Sequence, residues 1–304
     1  MMTEEVVYYH EQAAKYGIYS YPAGKRASLP LVIFLNAGLV NRQGPHRVYV
    51  NLCRELTAAG FACFRFDLPG IGDALNHSKR STRAQIYLEE LGNVIWHFRE
   101  ERGVQSFVLL GLCTGADLAF DYALGDPSIA GVCMINGTRL PKRYAVSHIQ
   151  ERYYKKYLTD PRRWLKLLDV KKAAKIPRYA LMAAAMILKK LRERSAAPQP
   201  ATALPRPERP DHSPEGRKNW IRLVESNVPI LQIIAEGSET LDDLNNLDQE
   251  VAQLNEKRKN YRQQLVYDAD HTFTSVRSQQ YLTGQVLEWC RHQFAAQSKA
   301  VATA

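Results

Sequence analysis

The sequence predicts an α/β chain: a mostly parallel sheet with helical crossovers, interrupted by a helical insertion. Three observations lead there. Short apolar runs alternate with amphipathic, helix-length segments over residues 31–135, the pattern of strand–helix–strand units. A glycine-flanked turn, GLCTG, stands where one apolar run passes into a helical pattern. Residues 142–227 then break the alternation with basic helical sequence, after which two further apolar runs resume it.

The elements follow in order. VVYYH and GIYSY near the start read as an antiparallel pair at a sheet edge. LVIFL (31–35) is a buried strand, followed by a loop over 36–46 and a helix near 47–59. FACFRFD (61–67) is the next strand and ends at the turn Leu68-Pro69-Gly70. Residues 82–101 are helical, with Ile86, Leu88, Leu91, Val94, Ile95 and Phe98 spaced along the apolar face. A strand over 106–110 enters the glycine turn, a helix over 115–123 leaves it, and GVCMI (131–135) is a strand. Beyond the insertion, PILQIIA (229–235) and QLVY (264–267) are strands, and 278–294 is a closing helix. Two parts of one core, 1–141 and 228–295, thus flank the insertion at 142–227, with a tail at 296–304 and no internal repeat.

Composition bounds the setting. At 304 residues the chain can bury one large core. No run reaches 18 apolar residues, so no transmembrane helix is expected. The opening MMTEEVVYYHEQ carries acids where a secretory leader carries bases and an apolar stretch. Five scattered cysteines without a C-x-x-C pair argue against a disulfide framework and against a zinc site. A reducing cytoplasm is the expected setting, with no metal and no cofactor. The net charge of +10 favours acidic partners, and about half of the 41 Lys and Arg fall within 142–227. That insertion ends in a Pro- and Ala-rich stretch at about 195–214, expected to be a mobile loop. It carries no recognised nucleic-acid motif, and no nucleic-acid partner is expected. The stretch Gly70-Ile71-Gly72 lacks the glycine spacing and the Lys-Ser/Thr of a phosphate loop.

The turn Gly111-Leu112-Cys113-Thr114-Gly115 carries the chemistry. A strand, a sharp turn and a helix form the context of a nucleophile elbow, in which a strained central residue projects its side chain above the sheet. Small neighbours are needed because strand and helix approach closely. The N–H of Thr114, at the helix start, is placed to meet an oxyanion, and the same helix terminus favours the Cys113 thiolate. The bland alternative is a buried cysteine in a glycine-rich turn. A cysteine nucleophile needs a base and a group to orient it, and in elbow folds these follow in the order acid, then histidine. His271, just past the last strand, is the base candidate. After PILQIIA, a Gly-x-x-Asp register puts Ser238 at the acid position and Glu239 beside it; Glu239 is the candidate acid, with Asp242 second. The loop Asn36-Ala37-Gly38-Leu39 offers a second oxyanion donor from Gly38 or Leu39. Arg47 and Asp67 read as loop-ordering ionic groups, and Asp73 as a turn residue.

These parts together resemble the α/β-hydrolase superfamily over 1–140 and 228–295. Within it, the segment AGLVNRQGPHRVYVNLCRELTAAGFACFRFDLPGIGD, the cysteine elbow, ERYYKKYLTDPRRWLKLL and Asp270-His271-Thr272-Phe273 are similar to hydrolases encoded with exosortase and polysaccharide-export systems. Relatives with the same cysteine elbow include aminoacyl-shuttling transferases, which move acyl groups between carrier proteins. The resemblance implies an α/β-hydrolase fold whose insertion folds over the site as a cap, with Trp164 and Tyr154 on its underside and Leu112 below contacting substrate. It implies acyl transfer from an ester or thioester through a Cys113 thioester, with the substrate presented on an acidic carrier protein or as a CoA ester. The alternative from another class is a non-catalytic scaffold whose basic cap recruits an acidic partner.

Overall fold

The computed structural model describes residues 2–10, 15–23, 29–74, 82–137, 139, 214–238 and 249–295. Its eight strands are β1 (Met2–His10), β2 (Lys15–Pro22), β3 (Leu31–Leu35), β4 (Cys63–Phe66), β5 (Phe107–Leu112), β6 (Ile129–Ile135), β7 (Ile230–Gly237) and β8 (Tyr261–Asp270). They form one sheet in the order β1-β2-β4-β3-β5-β6-β7-β8. β1 and β2 pair antiparallel at the edge, and β2 is antiparallel to β4; every pairing from β4 onward is parallel.

Parallel strands covered on both faces are apolar along their whole length, and the sequence of β3 shows why it lies central: all five residues are buried. Alternate residues supply the two faces. Ile33, Leu109 and Met134 pack with α2 (Arg83–Arg102), α3 (Thr114–Ala123) and α4 (Pro214–Glu225). Phe34, Leu110 and Ile135 pack with α1 (Val48–Ala58) and α6 (Val276–Cys290). Helix α2 begins at a reciprocal cap in which Thr82 accepts from the Gln85 N–H while the Gln85 side chain accepts from the Thr82 N–H.

Two elements depart from the sequence-based expectation. Residues 214–225, counted there within the insertion, form α4 and pack on the sheet. Trp220 is buried, its ring tilted against those of Phe120 in α3 and Tyr261 in β8. Helix α5 (Gln249–Arg258) was not anticipated, since it is mostly polar; among its described side chains Val251 is buried and Leu254 partly so. The mobile stretch expected at 195–214 falls almost wholly outside the described residues, as does the body of the proposed cap.

The register fixes where chemistry can occur. Leu35 pairs with Gly111, Leu112 with Ile135, and Gly237 with Asp270. The strand ends are therefore level, and the residues that follow them crowd together at the carboxyl edge. The chain runs from β3 outward to β4 in one direction and from β5 to β8 in the other. The order thus reverses between β3 and β5, where open α/β sheets bind ligands.

Candidate active site

Cys113 is the first residue after β5 and sits at φ 57, ψ −120, a backbone region that a non-glycine residue adopts only under constraint. The constraint is visible. Its N–H donates to Ile135 O at 2.8 Å, and its carbonyl accepts from the N–H of Ala116 at 3.0 Å. A Cβ on Gly115 would lie 2.4 Å from Leu35 O, and one on Gly111 would lie 2.1 Å from the Gly115 carbonyl carbon. Strand β5, helix α3 and the end of β3 are in backbone contact there, and only glycine fits. Cys113 is half-buried, whereas Cys53, Cys63, Cys133 and Cys290 are buried completely. Burial also pushes the Cys63, Cys133 and Cys290 thiols well above the ordinary range.

Below the elbow, the Tyr49 hydroxyl donates to Leu35 O and accepts from the Leu112 N–H, each at 2.8 Å. It ties the ends of β3 and β5 together. Burial raises its pKa far out of reach, so it acts as a neutral strut.

Thr114 opens α3, where its N–H has no partner within the helix. Gly38, at φ 58, brings its N–H to Thr114 Oγ1 at 2.9 Å, so the β3 loop reaches the elbow. The neighbouring Leu39 side chain is 73% exposed. The loop is held from beneath. Asn36 donates to Asp67 at 3.1 Å and to Val40 O at 3.0 Å, and accepts from the Leu68 N–H at 2.9 Å. Asp67 is buried and forms an ion pair with Arg42, which also pairs with Asp73 at 2.8 Å. The expected loop-ordering role of Asp67 is therefore met by Arg42. Arg47 instead is exposed at φ 62, at the start of α1. Asp73 does more than turn the chain, because Tyr16 donates to it as well.

His271 is the first residue after β8. Its carbonyl accepts from the Asn136 side chain at 2.8 Å, and Nδ1 lies 3.0 Å from Ser238 Oγ. Asn136 is wholly buried at φ 49 and follows directly on Ile135, which holds the Cys113 N–H; its Oδ1 also accepts from the Ala235 N–H at 2.7 Å. Cys113 and His271, distant in sequence, are thus both fastened to the end of β6. The turn that carries His271 is built by Asp270, whose Oδ1 accepts from the N–H groups of Thr272 at 3.1 Å and Thr274 at 2.9 Å.

Of the other anticipated site residues, Glu239, Asp242, Tyr154 and Trp164 lie outside the described residues. Leu112, expected to contact substrate, is 1% exposed, and its side chain packs in the core with Val108 and Leu110 on the α1/α6 face. The last position of β5 points down into the sheet, and only the next residue turns upward. Asn136 had no sequence signal except its place after an apolar run.

Residues 36–201 match the family described as serine aminopeptidase, S33, which spans more than half of the chain. The chain belongs to the serine aminopeptidase S33 family. The S33 match begins at Asn36, the residue that anchors the loop after β3. The fold is accordingly the α/β-hydrolase fold, and solved structures agree. Dienelactone hydrolase from Anabaena variabilis is similar at 16% identity and TM-score 0.53, covering 96% of this chain and 98% of that one. Proline iminopeptidase from Mycobacterium smegmatis is similar at 14% and 0.54, covering 96% and 98%. A thioesterase domain from the curacin biosynthetic pathway is similar at 18% and 0.50, covering 94% and 99%. At such identities the likeness shows the fold alone. No curated protein matches the sequence. The S33 description specifies serine, and this S33 chain carries cysteine at its elbow. Among the described residues no helix is long and apolar enough to cross a membrane.

Proposed function

We propose that this chain is a cysteine-dependent acyl-transfer enzyme acting on an ester or thioester. The observation that carries the reading is the strained backbone of Cys113 at φ 57, held between β5 and α3 with His271 fastened to the same strand end. Cys113 Sγ attacks the carbonyl carbon while its proton passes to His271 Nε2. The N–H groups of Thr114 and Leu39 face the oxygen that gains charge, where preorganised donors are worth the most. Of the two loop residues considered, Gly38 already gives its N–H to Thr114 Oγ1 at 2.9 Å, so Leu39 is assigned as the loop donor.

Collapse of the tetrahedral intermediate breaks the bond to the leaving group, which takes the proton from His271, and leaves an acyl-thioester on Cys113. An incoming thiol, amine, alcohol or water then gives its proton to His271, attacks the thioester carbon and releases the Cys113 thiolate, which is reprotonated. Exchange of one thioester for another is nearly isoenergetic. Cysteine in place of serine therefore suits a carrier-bound or CoA-bound acyl group, in keeping with the resemblance to carrier-protein acyl-shuttling transferases. The basic segment 142–227 suits an acidic carrier.

The test is intact-mass spectrometry of the full chain after incubation with p-nitrophenyl butyrate and with butyryl-N-acetylcysteamine. The expected result is one butyryl group on Cys113, absent in Cys113→Ala and formed far more slowly in His271→Ala. An unmodified wild-type chain, or butyrylation undiminished in Cys113→Ala, refutes the reading and favours a scaffold.

A further inference from the structure

We infer that Ser238 is the positioning residue of His271: its hydroxyl accepts the Nδ1–H and so leaves Nε2 as the base that faces the nucleophile. The inference rests on the cysteine reading above. Its geometry is built by the sheet. The register of β7 and β8 breaks between Ala235 and Gly237, which sets Gly237 opposite Asp270 and brings the next residue of each strand, Ser238 and His271, side by side. Ser238 is 7% exposed, and its own N–H is spent on Ala235 O at 2.9 Å, which fixes the turn from which Oγ reaches Nδ1 at 3.0 Å. Asn136 holds the His271 carbonyl from the other side at 2.8 Å. The ring edge and the backbone are thus gripped separately.

The chemistry shows what a hydroxyl does at this contact. A neutral imidazole carries one N–H, and the group bonded to one nitrogen decides which nitrogen keeps the lone pair. A hydroxyl accepting from Nδ1–H selects the tautomer with Nε2 free, and it serves the imidazolium equally once the thiol proton arrives. It does so without a full negative charge, so it orients the ring while adding less to its basicity than a carboxylate would. A thiol ionises far more readily than a serine hydroxyl and asks less of its base. Serine at position 238 and cysteine at position 113 are matched in that sense.

The experiment is 15N NMR of histidine-labelled full-length protein, combined with steady-state hydrolysis of p-nitrophenyl butyrate. The wild type is expected to show His271 as the Nδ1–H tautomer. Ser238→Ala is expected to shift it toward Nε2–H and to lower kcat about three- to tenfold with KM held, the loss of one neutral hydrogen bond. Ser238→Thr, which keeps the hydroxyl, restores both; if Ser238→Ala does not fold, the near-isosteric pair Ser238→Thr and Ser238→Val makes the same comparison. A wild-type tautomer and kcat in the variants lacking the hydroxyl overturns the assignment of Ser238. If instead Cys113→Ala turns over at the wild-type rate, the cysteine reading itself has failed, and the two failures are told apart.

Discussion

Gly115→Ala probes the contact on which the site depends. The added Cβ would stand 2.4 Å from Leu35 O and 2.6 Å from Asn36 O, against 3.4 Å or more for ordinary contact. Both oxygens are backbone, so they cannot rotate away, and β3 and α3 must separate by about 1 Å. Overpacking of this kind costs about 1–3 kcal/mol, and each kcal/mol lowers Tm by roughly 2–4 °C in a chain of this size class. The same separation pulls Gly38 away from Thr114, now 2.9 Å apart, and misplaces the proposed oxyanion donors. A displacement of about 1 Å at a reacting geometry is worth roughly 100-fold in rate. The assay pairs calorimetric Tm with the pre-steady-state rate of Cys113 butyrylation. Gly284→Ala is the control: it lies within α6 with nothing within 4 Å of the new Cβ, and should gain up to about 1 kcal/mol with activity unchanged. A Gly115→Ala enzyme with wild-type Tm and wild-type acylation would refute the close-packing argument.

Three further outcomes are expected. Brief alkylation of the native chain with iodoacetamide should modify Cys113 alone, because the other four cysteines are wholly buried, and all five should react in denaturant; peptide mapping reads the sites. Asn136→Ala leaves the Ala235 N–H and the His271 carbonyl without their buried partner and should lower stability by about 2–4 kcal/mol in urea melts, while also slowing Cys113 butyrylation. For Asp270, partial burial works to raise the pKa, but hydrogen bonds from Thr274 and Thr272 outweigh it and hold the carboxyl below its ordinary range. A depressed folded value means that the stabilisation is complete above the unfolded carboxyl pKa of about 4 and fades as pH falls through the folded value. The Tm gap between wild type and Asp270→Ala should therefore be open at neutral pH and narrow on acidification; a gap that widens in acid would contradict the assigned sign.

Much of the architecture was legible because it is written in local pattern. Apolar runs such as LVIFL and FVLLGL suit central parallel strands covered on both faces, as they are here, and the glycines of GLCTG announce a strand–helix junction too tight for any side chain. His271 was legible as well, as a histidine placed just past the last strand. Helix α5 was not, because one buried valine makes no period.

The sequence by itself determined the strand segments and the tight turn at Cys113, and it pointed to Cys113 and His271 as the proposed reactive pair, since each of these signals lies in a short local stretch of chain. Only the tertiary structure decided that Ser238 meets the histidine ring, that Arg42 and not Arg47 neutralises Asp67, that Asn136 joins the strand ends, and that Leu112 turns inward. The physical reason is register. Between its pairings with Ala235 and with Gly237, β8 carries two extra residues, which decides that His271 rather than an earlier residue comes beside Ser238, and that register is set by pairing between strands some 30 residues apart.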